Sequence, residues 1–350
     1  MLKRMALKIF LSNFIQRSIS ACSALNIKTL IFVKLMNSLN HYLNKKGFVA
    51  KISVRPHERL QLENRFSQKS IEKDWGIVFH GKITNLETLT FLIGNIKSAR
   101  NISANISIVV STYEDEFYSE LKDAIYGLDI GLVLCQDIGE LDSDYPKSLC
   151  QQIETTSTGL NYLLSKNIAK GMKIRVDQKI NIESTILLVE KLFLAFPSCN
   201  GNTSNRIWTT SYNSYLRRPL GASDMLMVGF TEDLAKYWSR ISTADWMEFT
   251  RALSQKYPID VYREFRIPET WLAARYMERM HIDLTSPEQA NFVFWRDYMG
   301  IINSAHLNQH WLKSHEWLGS NFHTLNWFGK LLNQQLTEIT FEDWVSIYAE

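Results

Sequence analysis

The sequence predicts an α/β protein with a mainly parallel sheet, and two observations support this. Short apolar or β-branched runs alternate with helix-length amphipathic segments through the central part of the chain. Hydrophobic residues make up 45% and charged residues 21% of the 350 residues, which is the balance of a folded globular protein. Strands that alternate with helices form βαβ units, and the strands of such units lie parallel in one sheet.

Six segments are predicted as strands. The first, WGIVFH, is a continuous apolar run that ends at a glycine, as expected of a buried parallel strand. The others are apolar or β-branched runs of similar length. The predicted strands are residues 75–80, 105–111, 130–135, 170–177, 207–211 and a run that ends at residue 229.

Helices are predicted between and after these strands. Thr84 and Glu87 have the spacing of a capping box before an amphipathic segment, and Thr340 with Asp343 repeats that spacing near the end of the chain. Pro268 is at a first-turn position. The predicted helices cover residues 86–98, 114–126, 152–165 and 182–196, and helix signals dominate after residue 230.

Positive charge is concentrated at the start of the chain. The formal net charge is +3, but the residues before Glu58 include ten Lys or Arg residues and no Asp or Glu. Subtracting those ten charges leaves −7 for the remainder. A basic amphipathic segment can lie on an anionic membrane surface or bind nucleic acid. Its longest apolar run, Leu30–Met36, is broken by Lys34 and is too short to span a bilayer.

The chain is predicted to have three parts. Residues 1–70 form a basic, mainly helical extension, and residues 71–230 form the α/β domain. Residues 231–350 form a helical part packed on the same core, rich in aromatic residues because most tryptophans lie from Trp238 onward. The four cysteines are scattered, so we expect neither a zinc site nor a disulfide framework, and a reducing compartment is favoured.

A charged group ends the fourth predicted strand. Arg175 and Asp177 are two residues apart, so their side chains point to the same face, as does that of Lys173. The pair suits the carboxyl edge of an open sheet, where ligands bind. There a carboxylate can hold Mg²⁺ or Mn²⁺ and an arginine can neutralise a phosphate. A plain ion pair at a sheet edge explains the spacing equally well.

A second candidate is the TTSTG segment. The hydroxyls of Thr155 and Thr156, together with Gly159, could approach a phosphate or a ribose. The alternative is that they belong to a helix, where Thr hydroxyls often bond back to the backbone.

Two acidic residues later in the chain are further candidates. Asp224 follows a glycine-containing loop, and Glu269 opens a helix. Either could act as a catalytic base or contact an acceptor, although a turn role for Asp224 and a helix-dipole role for Glu269 are the alternatives. Arg217 and Arg218, just upstream of Asp224, could face an anionic ligand, but a solvated position at the surface is expected.

Several motifs, in order, resemble the WavE family of bacterial lipopolysaccharide-synthesis proteins, which are described as glycosyltransferases. The resemblance runs from about Trp75 to Arg279. Two positions depart from the family pattern: Gln151 stands where an Arg is usual, and His80 where a Gln is usual. The motifs are IVFHG at 77–81, STYE at 111–114, QIxTTxxGL at 152–160, KxRxD at 173–177, SD at 223–224 with Gly229, and PE at 268–269.

The resemblance implies a GT-A-like fold with a Rossmann-like sheet that binds a nucleoside-diphospho-sugar. In such folds an Asp-x-Asp motif holds a divalent cation, Mn²⁺ or Mg²⁺. Here Arg175 takes the place of the first acid, which leaves Asp177 as the expected metal ligand. The resemblance also assigns the donor site to Thr155, Thr156, Gly159, Lys173 and Arg175, and catalysis to Asp224 and Glu269.

The expected function is therefore transfer of a sugar to a lipopolysaccharide core, O-antigen or capsule intermediate. The partners would be the nucleotide-sugar donor and a lipid-linked saccharide acceptor, with no nucleic acid. The expected location is the cytoplasm, with peripheral contact to the inner face of the cytoplasmic membrane through the basic segment. The main alternative is a catalytically inactive scaffold or membrane-docking protein of a polysaccharide-assembly system. A nucleic-acid binder, suggested only by the basic segment, ranks last.

Overall fold

A seven-stranded sheet forms the centre of the part of the chain that the structure describes. The computed structural model describes residues 74–114, 117–136, 147–198, 203, 205–215, 218–240, 268–312, 316–317 and 338–349. The predicted extension, residues 1–70, lies outside these ranges. The strands of the sheet are β1 (Trp75–His80), β2 (Ser107–Thr112), β3 (Gly131–Leu134), β4 (Lys170–Arg175), β6 (Ile207–Thr210), β7 (Leu226–Phe230) and β8 (Met299–Ile302).

The strand order is β3-β2-β1-β4-β7-β6-β8. The first four strands in this order are parallel to one another, and β8 is parallel to β6. Within this seven-stranded sheet of the described residues, only β7 runs antiparallel to both of its neighbours. This is a Rossmann-like α/β fold, as the sequence predicts.

Helices cover the sheet and connect its strands. They are α1 (Leu86–Ile102), α2 (Tyr118–Ile125), α3 (Lys147–Ser165), α4 (Ile182–Ala195), α5 (Thr231–Tyr237), α6 (Pro268–Arg279), α7 (Pro287–Val293), α8 (Ser304–Leu307) and α9 (Phe341–Ala349). Helix α3 packs on β1 and β2, and α5 packs on α3 and β7. Burial of the apolar side chains between these layers is the main source of stability of such a fold.

Two capping boxes are predicted at helix N-termini, and the structure contains one of them. The box of Thr340 and Asp343 is present: the Thr340 amide donates to the carboxylate at 2.9 Å, and the Asp343 amide donates to the hydroxyl at 3.2 Å. The predicted box at Thr84 is wrong by one residue. The cap of α1 is Asn85, whose side-chain oxygen accepts from the Thr88 amide at 2.8 Å.

The sequence did not predict strand β8. Its four apolar residues follow a π-helix, Phe294–Tyr298, in a region where helix signals dominate. The strand forms because each of its residues has a partner in β6, from Ile207 with Met299 to Thr210 with Ile302. A run this short takes its conformation from its neighbour.

None of the helices within the described ranges has the length and apolar character needed to cross a bilayer.

Candidate functional site

Polar side chains gather at the carboxyl edge of the sheet. Ser111, His80 and Arg175 are in register on the neighbouring parallel strands β2, β1 and β4. Paired residues of parallel strands point to the same face. Because β7 is antiparallel to β4 and its first residue, Leu226, pairs with Ile174, the residues just before β7 lie at the same edge. This brings Asp224 to Arg175, with 4.0 Å between its Oδ2 and Nη1.

The carboxylate of Asp177 is held by three hydrogen bonds. The Arg175 guanidinium donates from Nε to Oδ1 at 3.0 Å and from Nη2 to Oδ2 at 2.9 Å. The Trp311 indole Nε1 donates to Oδ2 at 3.0 Å. Burial would raise the pKa of Asp177, but the Arg175 charge and these hydrogen bonds outweigh it and hold the pKa below its ordinary value. The guanidinium and the carboxylate are 24% and 19% exposed, so the ion pair still meets solvent.

Strand β4 is shorter than the sequence predicts. It ends at Arg175, and Asp177 lies in the turn that follows, where its side chain folds back on the strand. The two-residue strand β5 (Gln178–Lys179) comes next and pairs with β9 (His310–Trp311) in a small sheet completed by β10 (Glu316–Trp317). This pairing carries Trp311 to Asp177, whose carbonyl also accepts from the Leu312 amide at 3.0 Å.

Sequence reasoning missed Trp311. The residue is 134 positions from Asp177 in the chain, and no motif connects the two. Its position depends on an amide network in which the Gln309 side chain donates to Gln178 at 3.2 Å and accepts from the Thr210 hydroxyl at 2.8 Å. Such a contact becomes visible only when the strands are paired.

Lys173 is fully buried, one alternation inward from Arg175 on β4. Its Nζ donates to the backbone carbonyl of Asp224 and lies 4.3 Å from the centre of the Trp238 ring. Burial lowers the pKa of Lys173 to about 7, although the Asp224 charge opposes the shift. The predicted donor contact of Lys173 stays a prediction, while the structure shows a lysine that links β4 to the segment before β7.

His80 is the second fully buried basic side chain of this edge. Its Nδ1 lies 3.1 Å from the Thr155 hydroxyl on α3, and burial lowers its pKa well below the ordinary range, with Lys173 and Arg175 adding to the shift. His80 is therefore neutral at physiological pH.

Glu269, at the start of α6, is buried beside the same cluster. Asn213 donates from Nδ2 to Oε1 of Glu269 at 2.6 Å. Burial raises the pKa of Glu269, the negative charge of Asp224 raises it further, and Arg218 partly opposes both. The two acids that the sequence singles out, Asp224 and Glu269, thus interact electrostatically.

The expectation that Arg218 lies at the surface is wrong. The side chain is fully buried, and Nη2 donates to the carbonyls of Asn213 at 2.5 Å and Gly221 at 2.9 Å. A buried guanidinium needs such acceptors and a nearby negative charge, and Glu269 supplies the charge. Arg218 is therefore a buried cation of the cluster that opposes the raised pKa of Glu269.

Asn213 adopts a left-handed conformation with a φ of 63°. Asparagine is one of the few residues that tolerate it. The turn follows the end of β6 and points the side chains of Tyr212 and Asn213 in different directions. Asn213 reaches Glu269, and the Tyr212 ring lies 6.3 Å from the Trp311 ring, measured between centroids.

Thr155, Thr156 and Gly159 lie on the face of α3 that packs on the sheet. Both threonines are fully buried, and the Thr155 hydroxyl bonds back to the Gln151 carbonyl at 2.9 Å, as helix threonines often do. A Cβ at Gly159 would lie 2.3 Å from Cγ1 of Val78, so the glycine allows close packing of α3 on β1. Their predicted contact with a nucleotide stays a prediction.

The carboxylate of Asp177 is engaged by neighbouring side chains and not by a cluster of metal-ligating groups. Both of its carboxylate oxygens already accept hydrogen bonds from Arg175 or Trp311. Within the described ranges, no three His, Cys, Asp or Glu side chains come close enough together to hold a metal ion. A divalent cation on Asp177 stays a prediction.

Comparisons with known proteins give no family for this chain. No family model matches it, and no curated protein matches it. The resemblance to the WavE family therefore stays a prediction from the sequence.

Distant likenesses are found among solved structures. A cytidylyltransferase from Leptospira borgpetersenii is 14% identical over 48% of this chain and 65% of its own, with a TM-score of 0.27. Two structures of the glycosyltransferase GlyE from Streptococcus pneumoniae are each 11% identical. They cover 65% and 66% of this chain and 44% and 45% of theirs, with TM-scores of 0.27 and 0.30. This chain thus spans less than two thirds of each, and the likenesses are too distant to say what it does.

Proposed function

We propose that this protein is a glycosyltransferase that takes its sugar from a nucleoside-diphospho-sugar. The observation that carries the proposal is the partly exposed guanidinium of Arg175 at the carboxyl edge of a Rossmann-like sheet, with Asp224 and Glu269 beside it. Ligands of open α/β sheets bind at this edge. A fixed cation next to buried carboxyls suits a reaction in which an anion leaves and a hydroxyl loses a proton.

Arg175 would stabilise the leaving group. Transfer breaks the bond between the anomeric carbon of the sugar and the diphosphate oxygen, and negative charge develops on that oxygen. A guanidinium offers the diphosphate paired N–H donors in a rigid plane. Asp177 fixes that plane through two hydrogen bonds and leaves Nη1 directed toward Asp224. Asp177 is thus a positioning residue in this proposal.

The carboxyl pair would handle the proton of the acceptor. As the acceptor oxygen bonds to the anomeric carbon, its proton passes to Asp224 or Glu269. Burial and the Asp224 charge raise the pKa of Glu269, so this carboxyl holds a proton more readily than an ordinary glutamate. The Asn213 amide orients it through Oε1.

The identity of the acceptor rests on the sequence resemblance alone. A lipopolysaccharide core, O-antigen or capsule intermediate on a lipid carrier fits the ten positive charges before Glu58, which would hold the enzyme at an anionic membrane surface.

The test is calorimetric titration of the purified protein with UDP, GDP and CDP, with and without Mn²⁺. We expect one nucleotide to bind, and Arg175→Gln to weaken it about tenfold or more, because charge-assisted hydrogen bonds contribute about 1.5–3 kcal/mol. Asp177→Asn should weaken it less. Binding that requires Mn²⁺ in the wild type and disappears in Asp177→Asn would instead make Asp177 a metal ligand.

The chain offers a matched control. Arg296 and Asp297 form an equivalent two-bond pair, with both distances 2.8 Å, just before β8 and so at the opposite edge of the sheet. Asp297→Asn should leave nucleotide binding unchanged. If the folded wild type binds none of the three nucleotides, the proposal fails and the scaffold alternative becomes the better explanation.

A further inference from the structure

Two partly exposed aromatic side chains form one wall of the charged cluster. Trp311 on β9 and Tyr212 after β6 meet at an interplanar angle of 65°. The Arg175 guanidinium lies 5.8 Å from the centre of the Trp311 ring. The wall therefore stands directly beside the group that is proposed to bind the diphosphate.

Two separate routes join this wall to the two carboxyls. On one side, Trp311 donates to Asp177, which holds Arg175, and Arg175 faces Asp224. On the other side, Tyr212 is followed directly by Asn213, whose amide donates to Glu269.

The second route depends on the left-handed turn at Asn213, which is uncommon for a residue other than glycine. Non-glycine residues in this conformation concentrate at functional sites. The aromatic wall and the carboxyls are thus fixed relative to each other by contacts on both sides.

The chemistry of this arrangement suits a sugar ring. One face of a pyranose carries C–H groups that pack on the electron-rich face of an aromatic ring, and its rim carries hydroxyls. Carboxylates accept hydrogen bonds from hydroxyls, and guanidinium groups donate to them. The acids Asp177, Asp224 and Glu269 of the cluster are matched by the cations Arg175 and Arg218, and this balance suits a neutral ligand rich in hydroxyls better than a second phosphate.

We propose that Trp311 and Tyr212 form the wall of a saccharide subsite for the acceptor. This inference rests on the proposed glycosyltransferase function and adds the part of the site that holds the second substrate. The sugar ring packs on the aromatic wall, and its attacking hydroxyl is directed to Asp224 and Glu269.

The experiment is saturation-transfer NMR on the full chain. The probes are the methyl glycosides of glucose, galactose, mannose and N-acetylglucosamine, each added with and without the nucleotide that binds in calorimetry. We expect saturation of the ring C–H protons of at least one glycoside in the wild type. The affinity for that glycoside should fall about fivefold to tenfold in each of the variants Trp311→Leu and Tyr212→Leu, because an aromatic contact contributes about 1 kcal/mol.

Conservative and remote variants separate the wall from general effects. Trp311→Phe and Tyr212→Phe keep an aromatic face and should retain most of the saturation. Tyr126→Ala removes a tyrosine that is 89% exposed at the end of α2 and should change nothing.

The outcomes distinguish this inference from the function on which it rests. The subsite proposal is overturned if glycoside binding is unchanged in both leucine variants. It is also overturned if the wild type binds a nucleotide but none of the four glycosides shows saturation transfer. A wild type that binds a glycoside through the wall but no nucleotide overturns the donor proposal and supports the subsite.

Discussion

Replacing Lys173 by methionine should remove a charge that the folded protein tolerates at a large free-energy cost. The side chain is fully buried, and burial lowers its pKa from 10.5 to about 7. Methionine has a similar length and no charge, so it fills the same space. The variant loses the hydrogen bond to the Asp224 carbonyl and the contact with the Trp238 ring.

The size of the effect follows from the two pKa values. Because the pKa in the folded state lies below that in the unfolded state, the unfolded chain binds more protons between them, and stability rises with pH across that interval. The cost is fully present below the folded pKa and disappears as pH rises toward the unfolded value. Between about pH 7 and about pH 9, the wild type should gain about 2 kcal/mol relative to Lys173→Met.

Urea unfolding at several pH values measures this difference, because other titrating groups cancel between wild type and variant. Lys122→Met removes an exposed lysine of α2 and should show the same pH dependence as the wild type. If the stability difference between wild type and Lys173→Met is constant from about pH 7 to about pH 9, the lysine does not lose its proton in the folded state and the reasoning is refuted.

Two further substitutions test the packing that positions the site. Gly159→Ala should destabilise the protein by about 1–2 kcal/mol in urea unfolding, because overpacking against Val78 outweighs the higher helix propensity of alanine. Adding Val78→Ala to this variant should relieve the strain. A Gly159→Ala variant that is more stable than the wild type would contradict this reasoning. Trp344→Phe should lower the free energy of unfolding by about 3 kcal/mol in the same assay. The reason is that the Trp344 indole donates to the backbone carbonyls of Trp295 at 2.8 Å and Met299 at 2.7 Å. Unchanged stability would show that these carbonyls find other donors.

The candidate site was predictable only where it depends on local sequence. The spacing of Arg175 and Asp177 is visible in the sequence and predicts that their side chains are neighbours, although Asp177 reaches Arg175 from the turn after β4 and not from the strand itself. Asp224 reaches the same edge because β7 runs antiparallel to β4, and strand direction is not encoded in a short apolar run. Trp311 joins them through the pairing of two strands of two residues each, which carry no pattern of their own.

The burial of charged side chains was the least predictable property. The sequence places Arg218 next to Arg217 in a polar loop, which is typical of a surface, yet Arg218 is fully buried by the turn at Asn213 and Glu269 of α6. Whether a charge is buried depends on what packs over it, and here the partners come from elements far apart in the chain.

The sequence by itself determined the kind and order of the elements through the α/β part, apart from the two-residue strand β5. Apolar runs with turn residues at their ends, and amphipathic segments between them, specify strands and helices through contacts within a few residues. The tertiary structure alone decided the order of strands in the sheet, the direction of β7, the existence of β8 and the set of side chains around Arg175. These depend on pairing between distant segments, whose free energy comes from burial and hydrogen bonds that form only in the complete fold.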